Sequence, residues 1–208
     1  ASTDYMKNYA EQIRSFIPKG RTFKVLGTDG FGRDVYSRIV LGSRVSLAVG
    51  LVAVLVSLFL IGSALGLIAG YYRGKTDLVV SWFINVIWSL PTMLLVAAIS
   101  FALGKGFWQI FIAIGISSWV EVARVVRGQV FSLREKEFIQ AAKILGYSPF
   151  RIMFKHLLPN LKSTLIVLAI SVFGSAILLE SGLSFLGFGI SPPAPSWGMM
   201  VKENYFTT

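Results

Sequence analysis

No charged residue occurs between Arg44 and Arg73, and those 28 positions are dominated by leucine, valine, isoleucine, alanine, glycine and serine. A stretch of that length exceeds the ~20 residues an α-helix needs to cross a hydrocarbon core. In lipid only a helix or a closed barrel pairs every backbone N–H and C=O, so the run predicts a spanning helix. Leu78 to Gly104 is also free of charge and predicts a second span, with Pro91 inside it. Proline removes one backbone hydrogen bond and kinks a helix wherever neighbours satisfy the freed carbonyl. A third span is predicted from Phe107 to Arg124, with Glu121 at the far interface and three residues from Arg124, close enough to pair. The fourth starts after Lys162 and reaches Leu179, slightly short unless Glu180 approaches the interface; its Ser171, Gly174, Ser175 and Ala176 let another helix come close. The expectation is an all-α membrane protein with four spans in this chain.

Composition agrees: 54% of residues are hydrophobic and the mean hydropathy is +0.68. The net charge of +10 comes from 20 basic and 10 acidic residues, and the bases sit mainly outside the apolar runs. Membrane topology explains that pattern better than nucleic acid does, since a nucleic-acid surface needs a continuous basic stripe or stacking aromatics. Without cysteine there is no thiolate site, and one histidine, His156, makes no histidine metal cluster. The first 24 residues carry Met6, Tyr9, Ile13, Phe16 and Ile17 at helical spacing, an amphipathic helix and not a signal peptide. Residues 27–34 are turn-rich, and Val35 to Arg44 mixes arginine with apolar residues as an interfacial helix does. Gly30-Phe31-Gly32 lacks the third glycine of a dinucleotide fingerprint, and Gly74-Lys75-Thr76 lacks the earlier glycine of a phosphate loop.

The long charged excursion between apolar segments is residues 125–162. Phe138, Ala141, Ala142 and Leu145 are spaced for one helix face, Gly146 fits a helix stop, and Ser148-Pro149 fits an N-cap with proline at the first helical position. Phe150, Met153, Phe154 and Leu157 repeat the apolar spacing up to Pro159. Two short amphipathic helices hinged at one glycine are predicted, with the two apolar faces packed inward and the tip left free.

Gln140-Ala141-Ala142, then Gly146, then His156-Leu157-Leu158-Pro159-Asn160 resembles the EAA loop of ABC importer permeases. Glutamine stands at 140 where that family usually has glutamate, and Glu121 where the helix entering the loop usually has tyrosine. Two further segments, Gly27–Gly50 and Gly182–Gly198, resemble the dipeptide, oligopeptide and nickel branch, so the likeness covers about residues 26–201. It implies the type I ABC importer transmembrane fold, with an extracytoplasmic segment at 1–44 and a permease domain at 45–208. It also implies a cytoplasmic coupling loop at 125–162 in a multi-pass protein of the prokaryotic inner membrane. The residues it points to for ATPase docking are Gln140, Ala141, Ala142, Gly146, Tyr147, Ser148 and Arg151. The implied partners are ABC ATPase subunits, a second permease subunit forming a heterodimer, an extracytoplasmic substrate-binding protein and the lipid bilayer, with no nucleic acid. ATP and Mg would sit on the ATPase subunits, with no cofactor on this chain and no enzyme activity of its own.

Lysine and arginine total 10 on each side of the expected membrane, so the orientation rests on the resemblance. The rival classes are a secondary transporter, which would place ionisable residues near mid-membrane, and a membrane-embedded enzyme, which would need a nucleophile with its base or paired carboxylates. Counting spans back from a cytoplasmic loop puts residues 1–44 outside with no signal to carry them across, so a preceding span and a following one, six in all, are expected in the complete subunit.

Overall fold

The computed structural model describes residues 24–104, 107–189 and 195–205, so the amphipathic helix expected in the first 24 residues lies outside them except for Lys24. Helix α1 (Val35–Tyr72) is 38 residues long. The interfacial segment expected at Val35–Arg44 and the first span are therefore one rod, about 57 Å long at 1.5 Å per residue. Asp34 caps its start, accepting the Ser37 N–H at 2.9 Å. Its middle, Leu55–Gly62, has π-helical geometry, and there the Ser57 hydroxyl donates to the Ala53 carbonyl at 2.6 Å.

The second apolar run is two helices, α2 (Gly74–Trp88) and α3 (Thr92–Leu103), bent by 93°. Pro91 has no N–H to give Ile87, and the Leu90 amide closes that carbonyl at 3.2 Å instead, so the expected kink is a break. α4 (Phe107–Arg134) runs past Arg124, where the third span was expected to end. Next come α5 (Glu137–Ile144) and the irregular helix α6, residues 149–160. Pro159 does not stop α6 as expected. Lacking an N–H for Lys155, it widens the preceding turn to π geometry, where the Leu158 amide reaches back to Met153. The side chain of Asn160 then donates to the His156 carbonyl at 2.6 Å, and Leu161 alone separates α6 from α7 (Lys162–Phe185). α7 is 24 residues long and stays helical through Gly182, so the expected loop after Glu180 begins only at Leu186. α8 (Trp197–Tyr205) follows.

The helices α1, α4 and α7 are long and apolar enough to cross a membrane, and the bent pair α2–α3 makes a fourth crossing if it counts as one span. α1 and α4 run parallel along a seam. Gly62, Gly66 and Gly70 lie against Val122, Val126 and Val130, and a Cβ added at each glycine would fall 2.6–2.8 Å from a valine Cβ. Every fourth residue on α1 is thus a groove for a valine of α4. In lipid, where burial from water supplies little drive between helices, such close van der Waals contact is what holds them together. α7 packs antiparallel to α1, with the Phe173 ring against Gly50. The small residues expected to receive a helix on α7 divide: Ala176 is buried, while Ser171, Gly174 and Ser175 face outward.

The α8 end is closed by an ion knot. Asp29, buried, accepts the Phe31 and Arg33 amides at 3.0 and 2.9 Å and the Arg33 guanidinium at 2.7 Å, and it also pairs with Arg38. Arg33 and Arg38 both reach the Glu203 carboxylate at 2.6 Å, which ties α8 to the start of α1. Burial alone would raise the Asp29 carboxyl, but the Arg33 and Phe31 amides and the two guanidinia outweigh it and hold the pKa at about 2. Glu180, expected near the interface, is instead fully buried. Its Oε1 accepts the Ser184 hydroxyl at 2.7 Å, inside a patch with buried Ser196 and Ser46 that receives Trp197 from α8.

Candidate functional site

At the opposite end, α5 and α6 form the expected hairpin. α5 ends in a Schellman turn: Gly146 has φ +74°, its amide donates to Lys143 at 3.0 Å, and the Tyr147 amide donates to Ala142 at 3.1 Å. Ser148 then caps α6, accepting the Arg151 amide at 3.3 Å, with Pro149 in the first turn. The stop and the start are both encoded within four residues, so the angle between the helices is set locally.

The apolar faces are only partly those expected: Ala142, Met153 and Leu157 point inward, while Phe138, Ala141, Leu145, Phe150 and Phe154 do not. The buried residues are Ile139 and Ala142 on α5 and Ile152, Met153 and Leu157 on α6, all in the main core. Phe138, Leu145, Phe150 and Phe154 are 42%, 70%, 68% and 47% exposed, and Ile144 reaches 86%. Two apolar stripes lie side by side on α5. The spacing that selected Phe138, Ala141, Ala142 and Leu145 joined three residues of the outward stripe to Ala142, which with Ile139 forms the inward one. The result is an exposed apolar crest along the hairpin, with Phe150 and Phe154 stacked 4.4 Å apart.

The residues expected to dock therefore separate. Ala142 is buried and out of reach of any partner. Ala141, Gly146, Ser148 and Arg151 are exposed, and Tyr147 is half-buried under the Arg151 guanidinium at 4.1 Å. Gln140 turns toward α4 and donates its amide to the Arg134 carbonyl at 3.2 Å. A glutamate could not make that bond, because a carboxylate has no hydrogen to donate. Ile144, which the helical spacing did not single out, and Leu145 beside it hold the most exposed apolar positions of the hairpin, with Phe150 next; an apolar side chain beside a helix stop was the available signal.

The root of the hairpin is held by charges the sequence did not mark. Arg127 of α4 makes a two-pronged pair with Asp77 of α2, its Nη2 at 2.8 Å from Oδ2. Arg73, between α1 and α2, reaches Glu135 at 2.6 Å and lies over the Phe131 ring. Arg124 does not pair with Glu121; its guanidinium sits 3.4 Å from the Trp88 ring centroid. Glu121, exposed, borders a cavity of about 610 Å³ shared by α3, α4 and α7, with Thr92, Ser117, Ser118 and Ser175 as its other polar lining. Among the described residues no cluster of His, Cys, Asp and Glu could hold a metal.

Spanning helices, one of them broken at a proline, with a crested hairpin at their end define an integral membrane protein. Residues 62–208 match the family described as binding-protein-dependent transport system inner membrane component, and the chain belongs to it. It is 46% identical over 178 residues to the dipeptide transport system permease protein DppC of Alkalihalophilus pseudofirmus, covering 86% of this chain and 58% of that one. It is 39% identical to the glutathione transport system permease protein GsiD of Pectobacterium atrosepticum, covering 86% and 59% of the two chains. The figure is also 39% for the oligopeptide transport system permease protein OppC of Haemophilus influenzae, over 92% and 61%. The chain spans about three-fifths of the length of these relatives.

Proposed function

We propose that this chain is the membrane-spanning part of a permease subunit in an ATP-driven importer of peptides or a related small solute. In this reading the hairpin end faces the cytoplasm and the crest seats on an ATPase subunit. ATP binding there favours one arrangement of the bundle over another. A second permease subunit covers the outward face of α7, and a substrate-binding protein delivers cargo at the α8 end. The mixed cavity beside the α2–α3 break, where Glu121 and four hydroxyl side chains stand among apolar residues, is the candidate half of the path. ATP and Mg belong to the ATPase subunits, and this chain takes part in no bond making or breaking.

The observation that carries the reading is the crest: apolar side chains left in solvent on a hairpin whose stop and cap are both fully formed. An apolar patch held out by a rigid frame marks a contact with another protein or with the membrane, and crosslinking decides between the two. Cysteine crosslinking in the assembled transporter tests it. Ile144→Cys and Phe150→Cys should couple to the ATPase subunit, whereas Ile139→Cys, on the buried stripe, should not. Efficient transport with no crosslink from either crest position would sink the docking assignment.

A further inference from the structure

The hairpin root holds more positive charge than it neutralises. Arg73, Arg127, Arg134 and Lys143 gather there with Asp77 and Glu135 as the acidic side chains. Asp77 is used by Arg127, and Glu135 reaches Arg73 only through a pair whose side chains are 40% and 60% exposed, the kind that contributes little. Among the described residues neither Arg134 nor Lys143 has a carboxylate within ion-pair distance. Arg73 Nε and Arg134 Nη1 are buried donors with no acceptor, a condition that is unfavourable when nothing else relieves it. Arg73 is also the one non-glycine residue with positive φ among the described residues, at φ 58° and ψ −163°. That region is close to glycine-only, and strain of this kind persists at functional positions.

We propose that Arg73, Arg134 and Lys143 form a binding site for a phosphate oxyanion, that of an anionic lipid headgroup. Depth favours the lipid over free phosphate. The site lies at the end of the spanning helix α1, beside Tyr71 and Tyr72, whose rings meet edge to face and whose residue type sits at headgroup level. Arg134 covers Tyr71 at 5.6 Å. Next to the site, Leu78, Val79 and Trp82 of α2 are 72%, 55% and 57% exposed, an apolar flank where acyl chains would lie. Burial pushes the Lys143 ammonium below its usual range, and Arg134 and Arg73 add to this while Glu135 opposes it, as expected of a cation awaiting a counter-ion. The site needs the chain to lie in a membrane but is independent of what the crest docks on, so the two assignments can fail separately.

The test uses the full-length permease in its assembled transporter, in phosphatidylcholine nanodiscs carrying a minor share of phosphatidylglycerol. The phosphatidylglycerol retained per complex is counted by native mass spectrometry. Each cation near an anionic surface contributes about fivefold, so the wild type should retain phosphatidylglycerol selectively. Arg134→Gln with Lys143→Gln should lower that retention about 25-fold, whereas Lys155→Gln, an exposed cation elsewhere on the hairpin, should leave it unchanged. Arg134→Lys keeps the charge and should keep the enrichment, which separates charge loss from misfolding. Equal retention in the wild type and the double variant would overturn the site. Displacement of the lipid by millimolar inorganic phosphate, dependent on the same two residues, would overturn the lipid assignment in favour of a soluble anion.

Discussion

At the α8 end Arg33 and Arg38 meet Asp29 and Glu203 and the knot is electrically closed, whereas at the hairpin end Arg73, Arg127, Arg134 and Lys143 meet only Asp77 and Glu135. The same residue types have different uses at the two ends. In the knot the side chains of Arg38, Asp29 and Glu203 are 11%, 2% and 15% exposed and Arg33 alone is half-open at 41%, so the two carboxylates depend on their guanidinium partners and the cluster acts as a fastener. At the hairpin root Arg73 is half-open and Arg134 and Lys143 have no carboxylate partner among the described residues, so removing any of these three strands no carboxylate in the interior. Closed clusters hold a fold together; open ones are left for something else to complete.

The largest effect that would sharpen this contrast is Arg38→Ala, which removes the buried cation between Asp29 and Glu203 and leaves both carboxylates to the half-open Arg33. Such a break costs about 3–5 kcal/mol, read as a drop in the thermal midpoint of the detergent-solubilised, full-length protein. A loss under about 1 kcal/mol would mean that the knot is no fastener. Next is Gly146→Val. Nothing lies within 4 Å of a Cβ built there, so the penalty is conformational, about 1–2 kcal/mol for an L-residue in left-handed geometry. It should appear as less transport per ATP hydrolysed, with Gly146→Asn, which tolerates that geometry, close to wild type. If valine and asparagine behave alike, the turn is not the hinge.

Acid gives a smaller and reversible probe of the knot. Asp29 titrates at about 2 in the folded chain against 3.8 for an ordinary aspartate. Its folded pKa is depressed, so its contribution is complete above roughly pH 4 and is lost as the pH falls toward 2. The difference in thermal midpoint between wild type and Asp29→Asn should hold from neutral pH down to about 4 and then close; a gap that closes near pH 6 would assign the effect elsewhere. The smallest expected change is Arg73→Gly. It relieves the backbone strain, about 1–3 kcal/mol, and gives up an exposed pair worth about 0–1 kcal/mol, so stability should hold or rise slightly. A loss approaching that of Arg38→Ala would erase the distinction between the two ends.

Much of this was legible in local chemistry. The charge-free runs locate α1 and the α2–α3 pair because lipid leaves the backbone no alternative to helix. Pro91 marks the break, since a missing N–H is a property of the residue wherever it sits. Gly146, Ser148 and Pro149 specify the hairpin turn for the same reason: the stop, the cap and the first turn involve only neighbours. Where the argument needed a neighbour far along the chain, tertiary structure alone decided. Phe138 and Ile139 are both apolar and adjacent, and only the position of the core tells which faces inward. Glu180 could have ended a span, but α7 continues past it, and Ser184, Ser196 and the arrival of α8 bury it. Gly62, Gly66 and Gly70 read as ordinary glycines of a membrane helix until Val122, Val126 and Val130 fill their grooves. Arg73 carries no local sign of strain; its guanidinium is held by the Phe131 carbonyl and Glu135, more than fifty residues away. Hydropathy and capping act over a few residues and are written in order along the chain, whereas packing partners and the balance of charge in a cluster are sums over residues that only the fold brings together.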